Sequence, residues 1–432
     1  MKWPTATLGK LAILGPQYGA NARAIPPRGN RPRYIRITDL SVDGQLLPQT
    51  YAEADLNDWE SFLLEEGDLL FARSGATVGK TYIYTTAHGL CIFAGYLIRF
   101  RLNPAIVDPK YAFYFTQSPT YQEWIASKKR VAAQPNINGT EYATLGFPLP
   151  PLSEQRRIVE ILDRADALRK KRAEADAKAE RIMPALFIKM FGDPATNPKG
   201  WKKARLDSND IVKIGTHLVD PNQPRYINLP HVGGDNIERD TGRIISPKIV
   251  RDSDIRSAKF YFTKDHILYC KIRPYLNKVA FPQFEGVCSA DIYPLLPNKK
   301  LVTPFFLMAL LRSEAFLSYA RIHSERLRMP KLNREQLGGY EIILPPIRMQ
   351  ELFECYIKEL LARRQQQRNV GKNLEHIFAN LLYRAFSGEL TARWREAHKK
   401  KLLAEMEEQA RALEIDHPGQ GDLFERAGVK RG

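Results

Sequence analysis

The strongest constraint on this chain is that part of it is written twice. Pro150-Pro151-Leu152-Ser153-Glu154-Gln155-Arg156-Arg157-Ile158 runs on through Ile161, Leu162, Ala165 and Leu168 to Met190-Phe191-Gly192. Pro345-Pro346-Ile347-Arg348-Met349-Gln350-Glu351-Leu352-Phe353 runs on to Ala385-Phe386-Ser387. Pro150 and Pro345 are 345 − 150 = 195 residues apart, and the same offset pairs Gln155 with Gln350, Ile182 with Ile377, Leu186 with Leu381 and Phe191 with Phe386. No gap interrupts the match. Two unrelated amphipathic helices have no reason to share a Pro-Pro start, a Gln and a terminal Phe at one offset, so the stretch is an internal duplication.

Each copy predicts one long helix. Proline fits just outside a helix start, where its missing N–H costs nothing, and Ser153 or Glu154 can serve the first orphan amides. Ile158, Ile161, Ala165, Leu168, Arg172, Ala175, Ala179, Ile182 and Leu186 alternate spacings of three and four. Phe353, Tyr356, Leu360, Arg363, Gln367, Val370, Leu374, Ile377 and Leu381 do the same on the same phases. That is a coiled-coil period, predicting roughly 55–60 Å of helix. The centre of each seam is polar or small, at Arg172 and Gln367, so neither helix should stand alone. Pro184 predicts a bend or an end near the C-terminus of the first helix.

A chain of 432 residues exceeds what one core usually holds. The residues divide into a globular region 1–150, a helix 151–192, a second globular region 193–345, a helix 346–390 and a charged extension 391–432. The two globular regions share a plan. Trp201 and Leu206 echo Trp3 and Leu8, Arg225-Tyr226-Ile227 echoes Arg33-Tyr34-Ile35, and Lys264-Asp265-His266-Ile267-Leu268-Tyr269 echoes the stretch Gly67 to Phe71, which reads as a turn and a buried strand. Met329-Pro330-Lys331-Leu332-Asn333 lies 195 residues beyond Gln134-Pro135-Asn136-Ile137-Asn138. From there the offset holds through the helix. Before it, the loops are expected to diverge on a common scaffold. The stretch 417–432 is expected to be mobile.

Net charge is +17, with pI near 9.6, which points to a polyanion, nucleic acid before membrane. A basic surface kept for solubility is the plainer alternative. Cys91, Cys270, Cys288 and Cys355 are scattered, with no CxxC, so neither a disulfide framework nor a zinc site is expected, and a reducing cytoplasm fits. The eight histidines form no HExxH, and there is no GxSxG or dinucleotide fingerprint. Ser74-Gly75-Ala76-Thr77-Val78-Gly79-Lys80-Thr81 comes near the phosphate-binding loop, but Ser74 stands where glycine is required and Tyr82-Ile83-Tyr84 reads as strand where a helix must start. Its counterpart, Cys270 to Lys278, has no glycine. Both segments read better as loops presenting donors to phosphates or base edges: Arg73, Ser74 and Lys80 in one, Lys271, Arg273, Asn277 and Lys278 in the other. A solvated hairpin tip is the bland alternative. Asn136, Asn138, Lys331 and Asn333, from the paired closing segments, complete the candidates.

At this point the resemblance is specific. Leu149 to Gln155 and Leu344 to Gln350, the helix ends Lys189-Met190-Phe191-Gly192 and Phe386-Ser387-Gly388-Glu389-Leu390, and the segments Gly67-Asp68-Leu69-Leu70…Arg73 and Asp265-His266-Ile267-Leu268…Lys271-Ile272-Arg273-Pro274 resemble the DNA specificity subunit of type I restriction–modification systems. The likeness spans residues 1–391. Met349 departs from it where the first copy has Glu154. The resemblance implies an α+β chain with two mixed α/β target-recognition domains at opposite ends of two long helices, which form an antiparallel coiled coil with an internal pseudo-twofold. Each domain would read half of a split DNA site, with the helices setting the gap. It implies no catalysis and no cofactor on this chain. Two methyltransferase subunits would carry S-adenosylmethionine, and restriction subunits would carry ATP and Mg. Partner contacts are implied at the helix ends, at Gln155, Phe191, Gln350 and Phe386. The symmetry of such an object matches that of DNA half-sites. Two other readings remain: a free-standing duplicated DNA-binding regulator, and a coiled-coil scaffold with no nucleic acid, which the charge and the paired basic loops oppose.

Overall fold

The computed structural model describes residues 3–41, 43–47, 50–129, 135–208, 211–215, 217–255, 257–324 and 330–416. Gln134, Met329 and the stretch 417–432 lie outside the described residues. In chain order the helices are α1 (Leu8–Leu11), α2 (Pro109–Phe115), α3 (Pro119–Lys129), α4 (Gly139–Ala143), α5 (Leu152–Glu180), α6 (Ile182–Phe191), α7 (Pro304–Leu311), α8 (Glu314–Ser324), α9 (Arg334–Gly338), α10 (Ile347–Phe386), α11 (Ala392–Ala397) and α12 (Lys399–Asp416). The first long helix is broken once, between Glu180 and Ile182. Pro184 accounts for this, because its ring clashes with the carbonyl four residues back, at Glu180.

Two compact units form. Unit 1 comprises the described residues through Lys171 and from Gly371 onward; unit 2 is Arg172–Val370. They do not follow the chain-order division, because the cut falls inside both long helices. Each unit takes the first half of one long helix and the last half of the other into its core: Ile158 and Leu162 with Phe378 and Leu382 in unit 1, Met183 and Phe187 with Phe353 and Ile357 in unit 2.

Both units are built on one four-stranded antiparallel sheet. In unit 1 its strands lie in the order Ala12–Tyr18, Leu97–Leu102, Leu69–Ala72, Thr81–Ile83; in unit 2 the order is Val212–Ile214, Ile292–Pro297, Ile267–Cys270, Val279–Ala280. The registers correspond: Ala72 faces Leu97, and Cys270 faces Ile292. A second sheet in each unit contains a parallel pair, Arg33–Ile35 with Cys91–Phe93 and Pro230–Val232 with Gly286–Cys288. The 195-residue offset is therefore in place well before residue 134. Strand starts Leu69 and Ile267 are 267 − 69 = 198 apart, whereas Cys91 and Gly286 are 286 − 91 = 195 apart. From there the hydrogen-bonded strands of the sheet fix the spacing, and the intervening loops absorb the change of three. Helices α2 and α7 start on the same signature. Asp108 accepts from the Lys110 and Tyr111 amides and Thr303 from the Phe306 amide, each followed by proline at the first helical position.

The glutamines pin each long helix to its own sheet domain. Gln155 Nε2 donates to Ile106 O (3.0 Å) and Pro150 O (2.8 Å), and its Oε1 accepts from the Asp108 amide (2.8 Å). Gln350 repeats this at Leu301 O (3.0 Å), Pro345 O (2.8 Å) and the Thr303 amide (3.0 Å). Both glutamines are 0% exposed, which corrects the expectation that they meet a partner: their hydrogen-bonding groups are engaged inside. The expectation for Phe191 is corrected likewise: it is buried against Phe306 (4.9 Å) and Phe353 (5.4 Å). Phe386 packs on Tyr111 and Phe115 (both 5.3 Å) and stays partly exposed.

The long helices pair antiparallel. In unit 2, going down the first helix, Arg172 reaches Gln367, Glu180 reaches Arg364 and Phe187 reaches Phe353. The polar seam centres do meet: Arg172 Nη2 donates to Gln367 Oε1 at 3.3 Å, a residue touching its own repeat mate. The apolar seam, however, is rotated from the expected one. Leu162, Ile357, Phe378 and Leu382 are buried, while Leu168 (56%), Val370 (53%) and Ile377 (52%) are exposed. A helix that faces both a sheet domain and another helix buries a wider stripe than a two-helix seam, with its centre shifted toward the domain.

The extension after Thr391 belongs to unit 1. Leu402, Met406 and Leu413 are buried. Gln409 Nε2 donates to Ile106 O (2.8 Å) and Pro150 O (3.4 Å), carbonyls already used by Gln155, and Glu405 accepts from the amide (3.0 Å) and hydroxyl of Ser153. Glu154, 0% exposed, accepts from Trp3 Nε1 (3.0 Å), Thr391 Oγ1 (2.5 Å) and Arg395 Nε (2.8 Å). This explains Met349. In unit 2 the tryptophan mate, Trp201, donates to Phe191 O (2.9 Å) and needs no carboxylate.

Candidate nucleic-acid interface

The two basic loops occupy one backbone frame. In unit 1 the strand Leu69–Ala72 leaves its sheet at Arg73 and returns at Thr81. The intervening turn is tied to the segment before α4 by Gly75 N–H to Pro135 O (3.1 Å) and Ile137 N–H to Arg73 O (2.9 Å). In unit 2 the ties are Arg273 N–H to Pro330 O (2.8 Å) and Leu332 N–H to Lys271 O (3.0 Å). Isolated bridges Ser74–Asn136 and Ile272–Lys331 close both frames. Structurally, then, Arg273 stands where Gly75 stands, and both are left-handed, at φ +50° and +67°. A side chain is rare in that region. Unit 2 accepts the strain and gains a guanidinium at the turn. The near-phosphate loop is no nucleotide site: Gly75–Thr77 is a 3-10 turn, and a strand, not a helix, follows.

The candidate residues separate into two sets. Arg273, Lys331 and Asn136 are exposed, and Ser74 is partly so. Arg73 lies over the Tyr18 ring at 4.9 Å, and the Tyr18 hydroxyl accepts the Gly139 amide (3.0 Å). The others are held inward. Lys80 Nζ donates to Leu40 O (2.7 Å), Lys278 Nζ to Gly234 O (2.6 Å) and Lys271 Nζ to Ala290 O (2.7 Å), with Lys271 also 5.0 Å from the Tyr293 ring. Asn277 is buried, its Nδ2 on Asp240 Oδ1 (3.4 Å), so its expected contact with DNA is corrected: it turns the chain at φ +50° and faces the interior. Behind it Arg312 donates to Asp240 O, and burial pulls its guanidinium down to about 10.

Asn138 and Asn333 are N-caps. Asn138 Oδ1 accepts the Glu141 amide (2.9 Å) while Glu141 accepts the Asn138 amide (3.0 Å); Asn333 and Gln336 do the same at 2.8 and 2.9 Å. The signal was legible as Asn-x-x-Glu and Asn-x-x-Gln, the capping box. Asn333→Ala is expected to lower stability by about 1 kcal/mol in denaturant unfolding, with the recognised DNA sequence unchanged. A changed recognition sequence would make Asn333 a base reader instead. Sequence reasoning also passed over the exposed Tyr18 and Tyr275 and the exposed Arg334. Aromatic rings interleaved with a basic loop are the signal that could have found them.

A guanidinium at a turn can grip the O6 and N7 of guanine, an amide can pair with adenine, and an ammonium can neutralise phosphate. Two copies of one fold, offering different side chains on a shared loop frame, define a duplicated sequence-reading protein. A family model described as the type I restriction modification DNA specificity domain matches residues 29–176. The specificity subunit of type I restriction enzyme EcoDI from Escherichia coli is 26% identical over 82% of this chain and 84% of its own length. The putative type I restriction enzyme MjaX specificity subunit from Methanocaldococcus jannaschii is 24% identical over 76% and 79%. The fold is shared with the S subunit of the type I system from M. genitalium (15% identity, TM-score 0.50, 89% of this chain and 96% of that one). It is also shared with a chain from a type I R-M system (18%, TM-score 0.50, 90% and 98%). Residues 29–176 thus match the model of the type I restriction–modification DNA specificity domain, and both relatives are named as specificity subunits of type I restriction enzymes.

Proposed function

We propose that this chain reads a split site on double-stranded DNA, one half through each unit, as the non-catalytic specificity component of a type I complex. The observation that carries this is the shared loop frame with exchanged chemistry: Gly75 against Arg273, and Asn136 against Lys331, on matching backbone ties. Two methyltransferase subunits supply S-adenosylmethionine chemistry, and restriction subunits supply ATP and Mg; the chain works with them in the cytoplasm. The exposed Leu168, Val370 and Ile377 on the long helices give partner subunits apolar ground. No helix among the described residues is long and apolar enough to cross a membrane.

The test is exchange of residues 1–134 for the matching region of a relative, followed by methylation mapping in cells carrying the methyltransferase partner. One half of the modified site is expected to change and the other to persist; a change in both halves would sink the reading. Within unit 2, Arg273→Gly keeps the left-handed turn, as Gly75 does in unit 1, and removes only the guanidinium. It is expected to cost about 1–3 kcal/mol of specific binding for a guanine contact. An equal small loss on every sequence, with a shallower salt dependence, would mark a phosphate contact.

A further inference from the structure

The surface that α12 covers on unit 1 has a mate on unit 2, and the mate is bare. Ile106 is 0% exposed, while its mate Leu301 is 40% exposed. Pro151 is buried and Pro346 exposed; Leu149 is buried and Leu344 half-buried; Glu154 is buried and Met349 half-buried. One helical turn beyond Arg348, on the same side of α10, Leu352 is also exposed. The carbonyls of Ile106 and Pro150 each take a bond from Gln155 and another from Gln409. Their mates, Leu301 O and Pro345 O, take side-chain bonds only from Gln350 among the described residues.

We propose that the face of unit 2 formed by Leu301, Pro346, Arg348, Met349 and Leu352 is a docking site for an amphipathic helix of a partner subunit. That helix presents an apolar stripe, an amide side chain for the two carbonyls and a carboxylate for Arg348. The occupant's chemistry is read from α12, which covers the equivalent face with Leu402, Met406, Gln409 and Leu413 at spacings of four, three and four, and with Glu405 on Ser153. Unit 2 has Arg348 at the position of Ser153, exposed and without an ion pair among the described residues, so a carboxylate there gains a charge partner. The α11–α12 segment of a second copy fits less well: its Arg395 needs the carboxylate of Glu154, and unit 2 offers Met349. On a chain of net charge +17, an acidic helix is also favoured in encounter.

The probe is a labelled synthetic peptide with the sequence of residues 399–416, braced by one lactam on its solvent face and titrated into the full chain. One peptide per chain is expected to bind. Leu301→Asp and Arg348→Glu should each weaken it at least about tenfold, the value of losing one buried apolar or ionic anchor. The Arg348→Glu loss should be recovered by a peptide carrying Glu405→Lys. Both replaced residues are exposed, so folding is not at stake, and unchanged thermal unfolding checks this. Absence of saturable binding overturns the proposal. So does binding that both variants leave intact, which would place the peptide on unit 1, and so does a dimer of the full chain that Leu301→Asp dissociates, which would make the occupant a second copy.

Discussion

Replacing Arg395 by alanine is expected to destabilise unit 1 by about 3–5 kcal/mol, the usual consequence of leaving one member of a buried ion pair alone. Glu154 has no exposure, and Arg395 is the one cation bonded to it among the described residues, at 2.8 Å. Without it, the carboxylate keeps only the neutral donors of Trp3 and Thr391. The Arg395 guanidinium also stacks on Trp3 at 4.6 Å and donates to Gly388 O (2.6 Å), so the N-terminal segment and the end of α10 loosen together. The double variant Glu154→Met with Arg395→Met should recover a large part of the loss. Unit 2 carries Met349 at the position of Glu154, and an apolar pair avoids the desolvation penalty of two buried charges. Urea unfolding followed by tryptophan fluorescence measures both. A loss below about 1 kcal/mol in the single variant would show that water reaches the carboxylate and that the pair behaves as a surface one.

Gln350→Ala should cost nearly as much, on the order of 3 kcal/mol, and Gln155→Ala the same in unit 1. The substitution removes three bonds and leaves the Thr303 amide, at the cap of α7, buried without its acceptor; each such orphan costs about 1–3 kcal/mol. Gln350→Glu separates hydrogen bonding from shape. The glutamate fills the same space but must hold a proton to donate to either Leu301 O or Pro345 O, having one hydrogen where the amide has two. Its carboxyl is therefore raised in the folded state, and stability should fall as pH rises above about 4.3, whereas Gln350→Ala shows no such slope. If the alanine variants keep their stability and instead lose association with a methyltransferase subunit, these glutamines are partner residues after all.

The loop residues show where reading by residue type stops. Arg73, Lys80, Lys271, Arg273 and Lys278 look alike in the sequence as donors in a basic turn. In the structure one stacks on Tyr18, three reach carbonyls of their own unit, and Arg273 alone stands free in solvent with its backbone left-handed. Asn138 and Asn333, expected as DNA contacts, are caps whose signal was present in the sequence and passed over, since a capping box is local and its partners lie three residues away.

The sequence by itself determined the duplication, the equivalence of positions along the long helices, the two helices themselves, the break before Pro184 and the meeting of Arg172 with Gln367. These follow from periodicity, from proline geometry and from the offset, all of which act along the chain. The mate of Arg33–Ile35 is the strand Pro230–Val232 rather than the expected Arg225–Ile227. Tertiary structure alone decided the rest. The buried stripe turned from Ile161 to Leu162 and from Ile377 to Phe378 because each helix has a sheet domain as well as a helix to cover. Gln155 went inside because Ile106 O and the Asp108 amide, 49 and 47 residues away, are brought to it. Glu154 is a carboxylate, where its mate is Met349, because Arg395 folds back across 241 residues. A buried polar group is set by whatever long-range partner satisfies it, and no local pattern names that partner.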